Sequence, residues 1–599
     1  MSFQRSFLAS ASAPSLAGCP ASGTAAVLIA TLAGCAAPRP FPLRPPVLVD
    51  TDLLPVSVPC RLDPAAKDDH PWNCAPREYV SPFVWDQVDN LWFAPVSRAL
   101  SIEVTGEAVN ANSLDEVPDS AWFTNRPRAH EVDAEADAEA PGACTADDVL
   151  PAPDRVHDGA WRIDHGKDNG STLGFRVQVP EKGIYMLKAD DEGKPERASA
   201  ASVIGAAIYH ALGYYTSCEQ IVVLRKAQLQ LTPGLKVVEN SGLSRPFDDA
   251  ALDKVLASTT QLPDRRVRMQ ASKWLPGLPL GPFRYTGTRE DDPGDVIDHA
   301  DRRELRGMRL LAAWLDHWDS REQNSMDVWL ASDPSDKRSS PGHVVHYVLD
   351  TSDTLGGEVS IDEMSRRLGY AYDLDFAEIG RSLITLGVSE RPWDHAREQP
   401  GREKFGYYRA ADFVPGAWKP MYPNPAFLRM TERDAAWMAR LIARFSHDDI
   451  RRFVALGRWQ DPSDADYLAN ILIERQRRIL VRYLGKLSPL GEVRAAGRDR
   501  ICATDFARLR EIAAPGRFHY TIVERGGGRT VELPAEAGAG GAVCFRPRAV
   551  VTGALADADP GRIVRLEVAN GARAGPLVIQ AYDLGRRGVQ IAGLTRPEP

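Results

Sequence analysis

The segment Leu315-Asp-His-Trp-Asp-Ser-Arg-Glu-Gln-Asn-Ser-Met326 stands near the middle of the chain, and Val344-Val-His-Tyr-Val-Leu-Asp-Thr-Ser-Asp-Thr-Leu-Gly356 follows it. The first holds Asp319 and, five positions later, Asn324, and in the second Asp350 ends an apolar run typical of a strand. Phosphoryl transfer needs a carboxylate beside the attacking hydroxyl and further oxygen ligands that hold Mg²⁺ against the phosphates. The two segments therefore predict Asp319 as catalytic base and Asn324 with Asp350 as metal ligands.

Upstream residues supply groups that could hold a nucleotide. Short strands are predicted around a glycine-rich hairpin, Gly166–Gly174, whose backbone N–H groups and hydroxyls could cover phosphates. Lys188 ends the next predicted strand, and Glu196 opens the predicted helix 196–212 on the face that points toward Lys188. The hairpin residues Gly170, Ser171 and Thr172 are therefore predicted to bind a nucleotide.

The order of these features resembles that of kinases: glycine loop, lysine, helix with a glutamate, D-x-x-x-x-N, and an aspartate after a strand. D-T-S-D-T-L-G at Asp350–Gly356 resembles the D-F-G-x-x-L-G of phosphatidylinositol 3- and 4-kinases, and the whole resembles the HipA-type and CotH-type atypical kinases. The resemblance covers Trp161 to Leu487 and implies a bilobal core that uses ATP and Mg²⁺. It also implies that Lys188 and Glu196 help to bind the nucleotide, and that Arg321 acts near the γ-phosphate, where such loops carry a lysine.

This chain departs from the kinase pattern at two places. His317-Trp318 precedes Asp319 where kinases have His-Arg, and Thr351-Ser352 follows Asp350 where they have Phe-Gly. A kinase-like fold with altered chemistry is therefore one of the expectations.

The N-terminus carries a lipoprotein signal. Ala25-Ala26-Val27-Leu28-Ile29-Ala30 is an apolar run, and Leu32-Ala33-Gly34-Cys35 has the small residues that precede a lipidated cysteine. The run is too short to span a bilayer. Cys35 is therefore predicted to be acylated. It is followed by Ala36 rather than by aspartate, and in this the chain resembles lipoproteins that pass to the outer membrane. A second, poorer match to the same pattern ends at Cys19. The lipoprotein signal makes the cell envelope the expected location.

Three stretches resemble exported lipoproteins of myxobacterial type, a likeness that implies no activity. They are Asp115-Glu-Val-Pro-Asp-Ser-Ala-Trp-Phe-Thr-Asn125, Leu275-Pro-Gly-Leu-Pro-Leu-Gly-Pro-Phe283 and Arg302-Arg-Glu-Leu-Arg-Gly307.

The chain of 599 residues is too long for one core and predicts an α+β protein of several units. A β-rich N-lobe, a helical C-lobe and a C-terminal all-β sandwich with strands at regular spacing are expected. The predicted divisions are a signal peptide 1–34, a Pro-rich tether 35–80, an N-terminal extension 81–160, an N-lobe 161–285, a C-lobe 286–490 and a sandwich 497–599.

Six cysteines remain if Cys19 is removed and Cys35 is lipidated, and an exported protein can pair them as disulfides. Proximity favours Cys60 with Cys74 and Cys502 with Cys544, although six cysteines allow fifteen connectivities. The net charge of −9 argues against a nucleic-acid partner.

Two functions remain open. The first is an ATP- and Mg²⁺-dependent phosphotransferase that acts on a protein, lipid or small-molecule hydroxyl. The second is a non-enzymatic envelope lipoprotein whose kinase-like scaffold binds a partner or envelope component. A peptidoglycan-binding or hydrolytic protein fits the location, but the sequence has no recognisable catalytic pair for it.

Overall fold

The computed structural model describes most of the chain: residues 46–57, 88–100, 106–126, 143–167, 172–190, 193–238, 244–333, 335, 340–357, 362–526, 528–548, 562–572 and 574–598. They belong to one compact unit that spans Phe41–Pro599. Helices and several separate sheets coexist, so the expected α+β class is confirmed. In these ranges no helix is both long enough and apolar enough to cross a bilayer.

The strands before residue 350 are β1 (Trp161–Gly166), β2 (Gly174–Val179), β3 (Gly183–Lys188), β4 (Tyr215–Thr216), β5 (Glu219–Leu224), β6 (Leu229–Leu231), β7 (Lys236–Val238), β8 (Ser244–Pro246), β9 (Thr260–Gln261), β10 (Val267–Lys273), β11 (Leu278–Gly281), β12 (Ser325–Ala331) and β13 (Gly342–Val348). The later strands are β14 (Leu490–Ala496), β15 (Arg500–Asp505), β16 (Thr521–Gly526), β17 (Arg529–Leu533), β18 (Glu536–Ala537), β19 (Ala542–Phe545), β20 (Ile563–Ala569), β21 (Leu577–Asp583) and β22 (Val589–Thr595).

The α-helices are α1 (Ala94–Leu100), α2 (Arg197–Leu212), α3 (Asp249–Ala257), α4 (Arg303–Leu315), α5 (Asp362–Arg367), α6 (Phe376–Ile384), α7 (Pro425–Leu428), α8 (Glu432–Ile442), α9 (His447–Ala455), α10 (Pro462–Leu484) and α11 (Phe506–Leu509).

The first sheet has the order β5-β10-β3-β2-β1-β6, with β9 paired to β10. Alternate residues of β2 (Phe175, Val177 and Val179) are buried in a core that α3 also enters through Leu252 and Val255. Helix α2 is buried on nearly all sides and contacts β5 and β10. The strands and the helix predicted between residues 161 and 224 are thus present.

A second sheet has the order β11-β12-β13-β4, and two of its strands, β12 and β13, come from the stretch where the sequence predicted a helical lobe. The strand before Asp350 was expected, but β12 was not. β12 and β13 form an antiparallel hairpin in which Ser325 faces Val348. The residues just outside the ends of this hairpin, Asn324 and Asp350, are therefore brought together, and Leu349 N–H donates to the Asn324 carbonyl over 2.9 Å.

Helices α4, α8 and α10 pack around one large core that holds the buried rings of Trp314 and Trp437. Residues of the N-terminal extension share this core, because Trp122 and Phe123 are fully buried in it. The extension therefore contributes directly to the core beneath the helices.

Two antiparallel sheets complete the chain, with the orders β14-β15-β19-β18 and β17-β16-β20-β21-β22. Their inward residues, among them Ile501, Phe545 and Leu566, form one core. Cys502 and Cys544 face each other on β15 and β19 and form the expected disulfide. A second disulfide joins Cys144 to Cys218, which proximity in the sequence had not indicated.

Several sequence predictions concern residues outside the described ranges: the signal peptide, Cys35, Cys60 and Cys74.

Candidate functional site

The end of α4 positions the loop that carries Asp319. The last carbonyls of a helix lack helical partners, and here each finds one. Ala312 also accepts from His317 N–H over 2.9 Å, Trp314 accepts from Tyr408 Oη over 2.8 Å, and Leu315 accepts from Leu355 N–H over 2.8 Å.

Arg475 of α10 completes this arrangement. Its guanidinium donates to the carbonyls of Ala313 and Trp314 and to that of Arg409. Because Asp316 adopts a left-handed conformation, with φ of 57°, the chain turns sharply out of the helix into the loop 317–324. Leu355 belongs to the turn after Asp350, so one helix end holds both loops of the candidate site.

Asp319, Arg321 and Asn324 form a contiguous group in this loop. Asn324 Nδ2 donates to Asp319 Oδ2 over 2.9 Å and to the Asp319 carbonyl over 2.7 Å. Arg321 Nε lies 2.9 Å from the other carboxylate oxygen, Oδ1. Both hydrogen bonds use the amide nitrogen of Asn324. Its amide oxygen is the atom that would bind a cation if Asn324 is a metal ligand, as predicted from the sequence.

Asp350 and Lys188 meet across the boundary between the two sheets. Lys188 Nζ donates to Asp350 Oδ1 over 3.1 Å, and Ser352 Oγ donates to the same oxygen over 2.7 Å. Burial alone would raise the pKa of the Asp350 carboxyl, but Lys188 and Ser352 outweigh it and hold that pKa below its ordinary value. The pair joins the predicted phosphate-binding cation to the predicted metal ligand.

Asp353 is a further carboxylate in this cluster that the sequence reasoning did not single out. Burial, and then the charge of Asp350, raise the pKa of Asp353 to about 6. Burial also raises the pKa of Asp319 to about 7, against the opposing charge of Arg321. The only sequence signal for Asp353 was its place within the D-T-S-D run, three residues after Asp350.

Glu196 does not reach Lys188, contrary to the expectation. It lies just before α2 with φ of 69°, and its carboxylate binds Lys404 Nζ over 3.1 Å and Gln460 N–H over 2.9 Å. Arg268 Nη1 lies 3.6 Å from the same carboxylate. The left-handed backbone turns the side chain away from the direction that a residue inside the helix would take.

Glu219 is the buried glutamate near Lys188 instead. Lys188 pairs with Gln270, and Ser272, two residues along β10, pairs with Glu219, so these side chains share one face of the sheet. Gln270, Ser272 and Ser217 donate hydrogen bonds to Glu219 over 2.6–2.8 Å. Burial raises the pKa of Glu219, and the charge of Lys188 opposes that rise.

Helix α2 is wedged between the first sheet and the Asp350 turn. Thr351 Oγ1 donates to the Ser202 carbonyl over 2.8 Å. A Cβ on Gly205 would lie 2.8 Å from Thr351 Cβ, so only glycine allows this approach. The helix therefore fixes the distance between the sheet and the turn.

The glycine-rich hairpin is partly described. Gly170 and Ser171 lie outside the described residues, whereas Thr172 is at the edge of the hairpin. Lys167 Nζ donates to the Thr172 carbonyl over 2.7 Å, and its charge helps to lower the pKa of Asp350. Lys167 is thus a second cation on this side of the site.

The oxygen donors fit Mg²⁺, which prefers carboxylate and carbonyl oxygens and usually completes its octahedron with phosphate and water. In the described part of the chain no three His, Cys, Asp or Glu side chains form a ready-made metal centre. Asp350 and the Asn324 amide would therefore be two ligands of a shell that a bound phosphate completes.

His343 and His346 both lie on β13. His346 is buried, its Nδ1 is 2.5 Å from Asp327 Oδ1, and its ring stacks on Trp122. His343 is partly exposed. These contacts give His346 a structural role in packing and in binding Asp327.

Comparison of the chain with protein-family models, curated proteins and solved structures finds no match.

Proposed function

We propose that this chain is an exported, lipid-anchored protein whose central region is a bilobal kinase-like phosphotransferase that uses ATP and Mg²⁺. The observation that carries the proposal is the meeting of Lys188, from the first sheet, with Asp350, beside the Asp319–Asn324 pair. Residues far apart in the sequence supply a cation for phosphates, oxygens for a metal and a carboxylate for a hydroxyl, as phosphoryl transfer requires.

Each residue has a role in this proposal. Lys188 orients the phosphates, and Asp350 and Asn324 hold the cation. Asp319 accepts the proton of the acceptor hydroxyl, and Arg321 stabilises charge on the transferred group. When bound, Mg²⁺–ATP supplies the phosphoryl group and neutralises charge that develops on its oxygens.

Glu219 supports the charged state of Lys188 in place of the helix glutamate of ordinary kinases. Asp353 lies close enough to Asp350 for the charge of Asp350 to raise the pKa of Asp353. A divalent cation would relieve that repulsion between carboxylates, which is why we add Asp353 to the candidate site.

The proposed location in the cell envelope rests on the Cys35 signal and on cysteine use. The disulfides Cys144–Cys218 and Cys502–Cys544 suit an oxidising compartment. The acyl group on Cys35 would then hold the protein at the membrane, in keeping with the outer-membrane location expected from Ala36.

The test is the thermal stability of residues 36–599 with and without ATP and Mg²⁺. A ligand present at 100 times its Kd adds about 2.7 kcal/mol to stability, which is easily measured. Asp350→Ala should lose this metal-dependent gain, and Asp154→Ala should keep it, because the Asp154 side chain is 81% exposed and remote from the site residues in the sequence.

The runner-up is a binding protein without catalysis. It is favoured by the ion pair that Lys188 already makes with Asp350 and by the engagement of Glu196 with Lys404. If neither ATP nor GTP at millimolar concentration stabilises the protein, the phosphotransferase proposal fails and this second function takes its place.

A further inference from the structure

Helix α6 and the turn after it expose an apolar surface. No residue of α6 is buried, although Phe376, Ile379 and Leu383 recur at the spacing that lines one helix face. We define the apolar tip as four residues whose exposed fractions are large: Leu383 (71%), Ile384 (86%), Leu386 (89%) and Val388 (83%). Single exposed aliphatic residues are ordinary, but a cluster of this kind marks an interaction surface.

Aromatic rings border this surface. Trp92 and Phe93, in the turn that leads into α1, are each 50% exposed. The ring of Trp92 lies edge-on to that of Phe376, with centroids 5.4 Å apart. Two separate parts of the chain therefore contribute to one continuous apolar face.

The apolar tip carries no charge. Ser382–Val388 contains no ionisable residue. The charged residues of α6, Glu378 and Arg381, lie 3.7 Å apart and neutralise each other, and Arg381 Nε also donates to Ser389 Oγ over 2.9 Å. A partner of the tip must therefore be recognised by apolar contact rather than by charge.

We propose that the apolar tip inserts into the surface of a lipid bilayer. The chain is predicted to be lipidated at Cys35, and Pro46, where the described structure begins, is the eleventh residue after that cysteine. Eleven extended residues span at most about 40 Å, so a bilayer is always within reach of the folded body. An uncharged aliphatic tip bordered by tryptophan and phenylalanine has the composition of a segment that enters the membrane interface.

This inference is independent of phosphotransfer, because it requires neither a nucleotide nor a metal. It makes the tip a second contact with the membrane beside the acyl chains. Since the tip is uncharged, its binding should not depend on anionic lipid or on salt.

The experiment measures sedimentation of residues 36–599, which lack the acyl group, with vesicles. The vesicles are either phosphatidylcholine alone or phosphatidylethanolamine with phosphatidylglycerol. The protein should partition onto both, equally at low and high salt. The double variant Ile384→Ser with Leu386→Ser should lower the partition coefficient about 100-fold, since it removes two large apolar side chains from the interface.

Val109→Ser with Val296→Ser is the matched control, because these valines are 62% and 67% exposed elsewhere on the protein. The control should bind vesicles as the unsubstituted chain does, and both double variants should melt at its temperature. The proposal is overturned if the unsubstituted chain stays in solution at millimolar lipid, or if the tip variant still binds. It is also overturned if light scattering detects a dimer that the tip variant abolishes while vesicles bind neither protein, since a second copy would then cover the tip.

Discussion

Replacing Arg475 by methionine should destabilise the protein by about 4 kcal/mol. Arg475 is 4% exposed, and its guanidinium carbon lies 3.8 Å from the ring centroid of Phe413 and 4.4 Å from that of Tyr408. Methionine leaves the carbonyls of Ala313 and Arg409 without this donor, at about 1–3 kcal/mol each. Loss of the cation–π contacts adds about 1–2 kcal/mol, while the apolar stem is largely retained.

Urea unfolding followed by tryptophan fluorescence measures this loss, because Trp314 lies in the core that Arg475 borders. Arg477→Met is the control on the same helix: Arg477 is 62% exposed, and its ion pair with Glu474 at 2.9 Å should contribute less than about 0.5 kcal/mol. A loss below about 1 kcal/mol for Arg475→Met would refute the idea that this side chain caps α4.

Three further outcomes are expected. Replacing Cys144 and Cys218 by serine should lower stability by up to about 4 kcal/mol in chemical unfolding, because the bond closes a loop with a sequence separation of 74; no loss under oxidising conditions would contradict this. Asp52→Asn should raise the melting temperature at pH 8 and leave it unchanged at pH 3.5. Burial raises the pKa of the Asp52 carboxyl to about 7, so the folded state resists an ionisation that the unfolded chain undergoes near pH 4. A gain in melting temperature that persists at pH 3.5 would count against this explanation. Glu219→Gln should weaken the stabilisation by ATP about tenfold in apparent affinity, because Lys188 loses a neighbouring negative charge; equal affinity would exclude Glu219 from the site.

The sequence predicted Lys188 at the end of one strand and Asp350 at the end of another, and the structure has β3 ending at Lys188 and β13 ending two residues before Asp350. The prediction failed for Glu196 because the helix begins one residue later than expected, and a positive φ redirects that side chain. The sequence pattern did not indicate that Glu219 lies near Lys188, because this proximity depends on the register of β5 on β10 and of β10 on β3. Register between strands distant in sequence is not encoded in local periodicity.

Disulfide pairing shows the same division between local and distant contacts. Cys502 and Cys544 were matched by closeness along the chain, and their strands are neighbours. Cys144 and Cys218 are joined because the segment around Asp148 packs against the first sheet, where Tyr185 Oη donates to the Asp148 carbonyl over 2.7 Å. No spacing rule anticipates such a contact.

The close approach of Gly205 to Thr351 limits how far the first sheet and the Asp350 turn can move apart at the candidate site. A hinge motion that separated the first sheet from the Asp350 turn would break the contacts of α2 with either the sheet or the turn. A nucleotide would therefore have to enter the candidate site without a clamshell motion of the first sheet against the Asp350 turn. Gly205→Ala would push the Asp350 turn away from α2, because the added methyl group would meet Thr351. This substitution would change the geometry of the candidate site without replacing any residue proposed to bind the ligand.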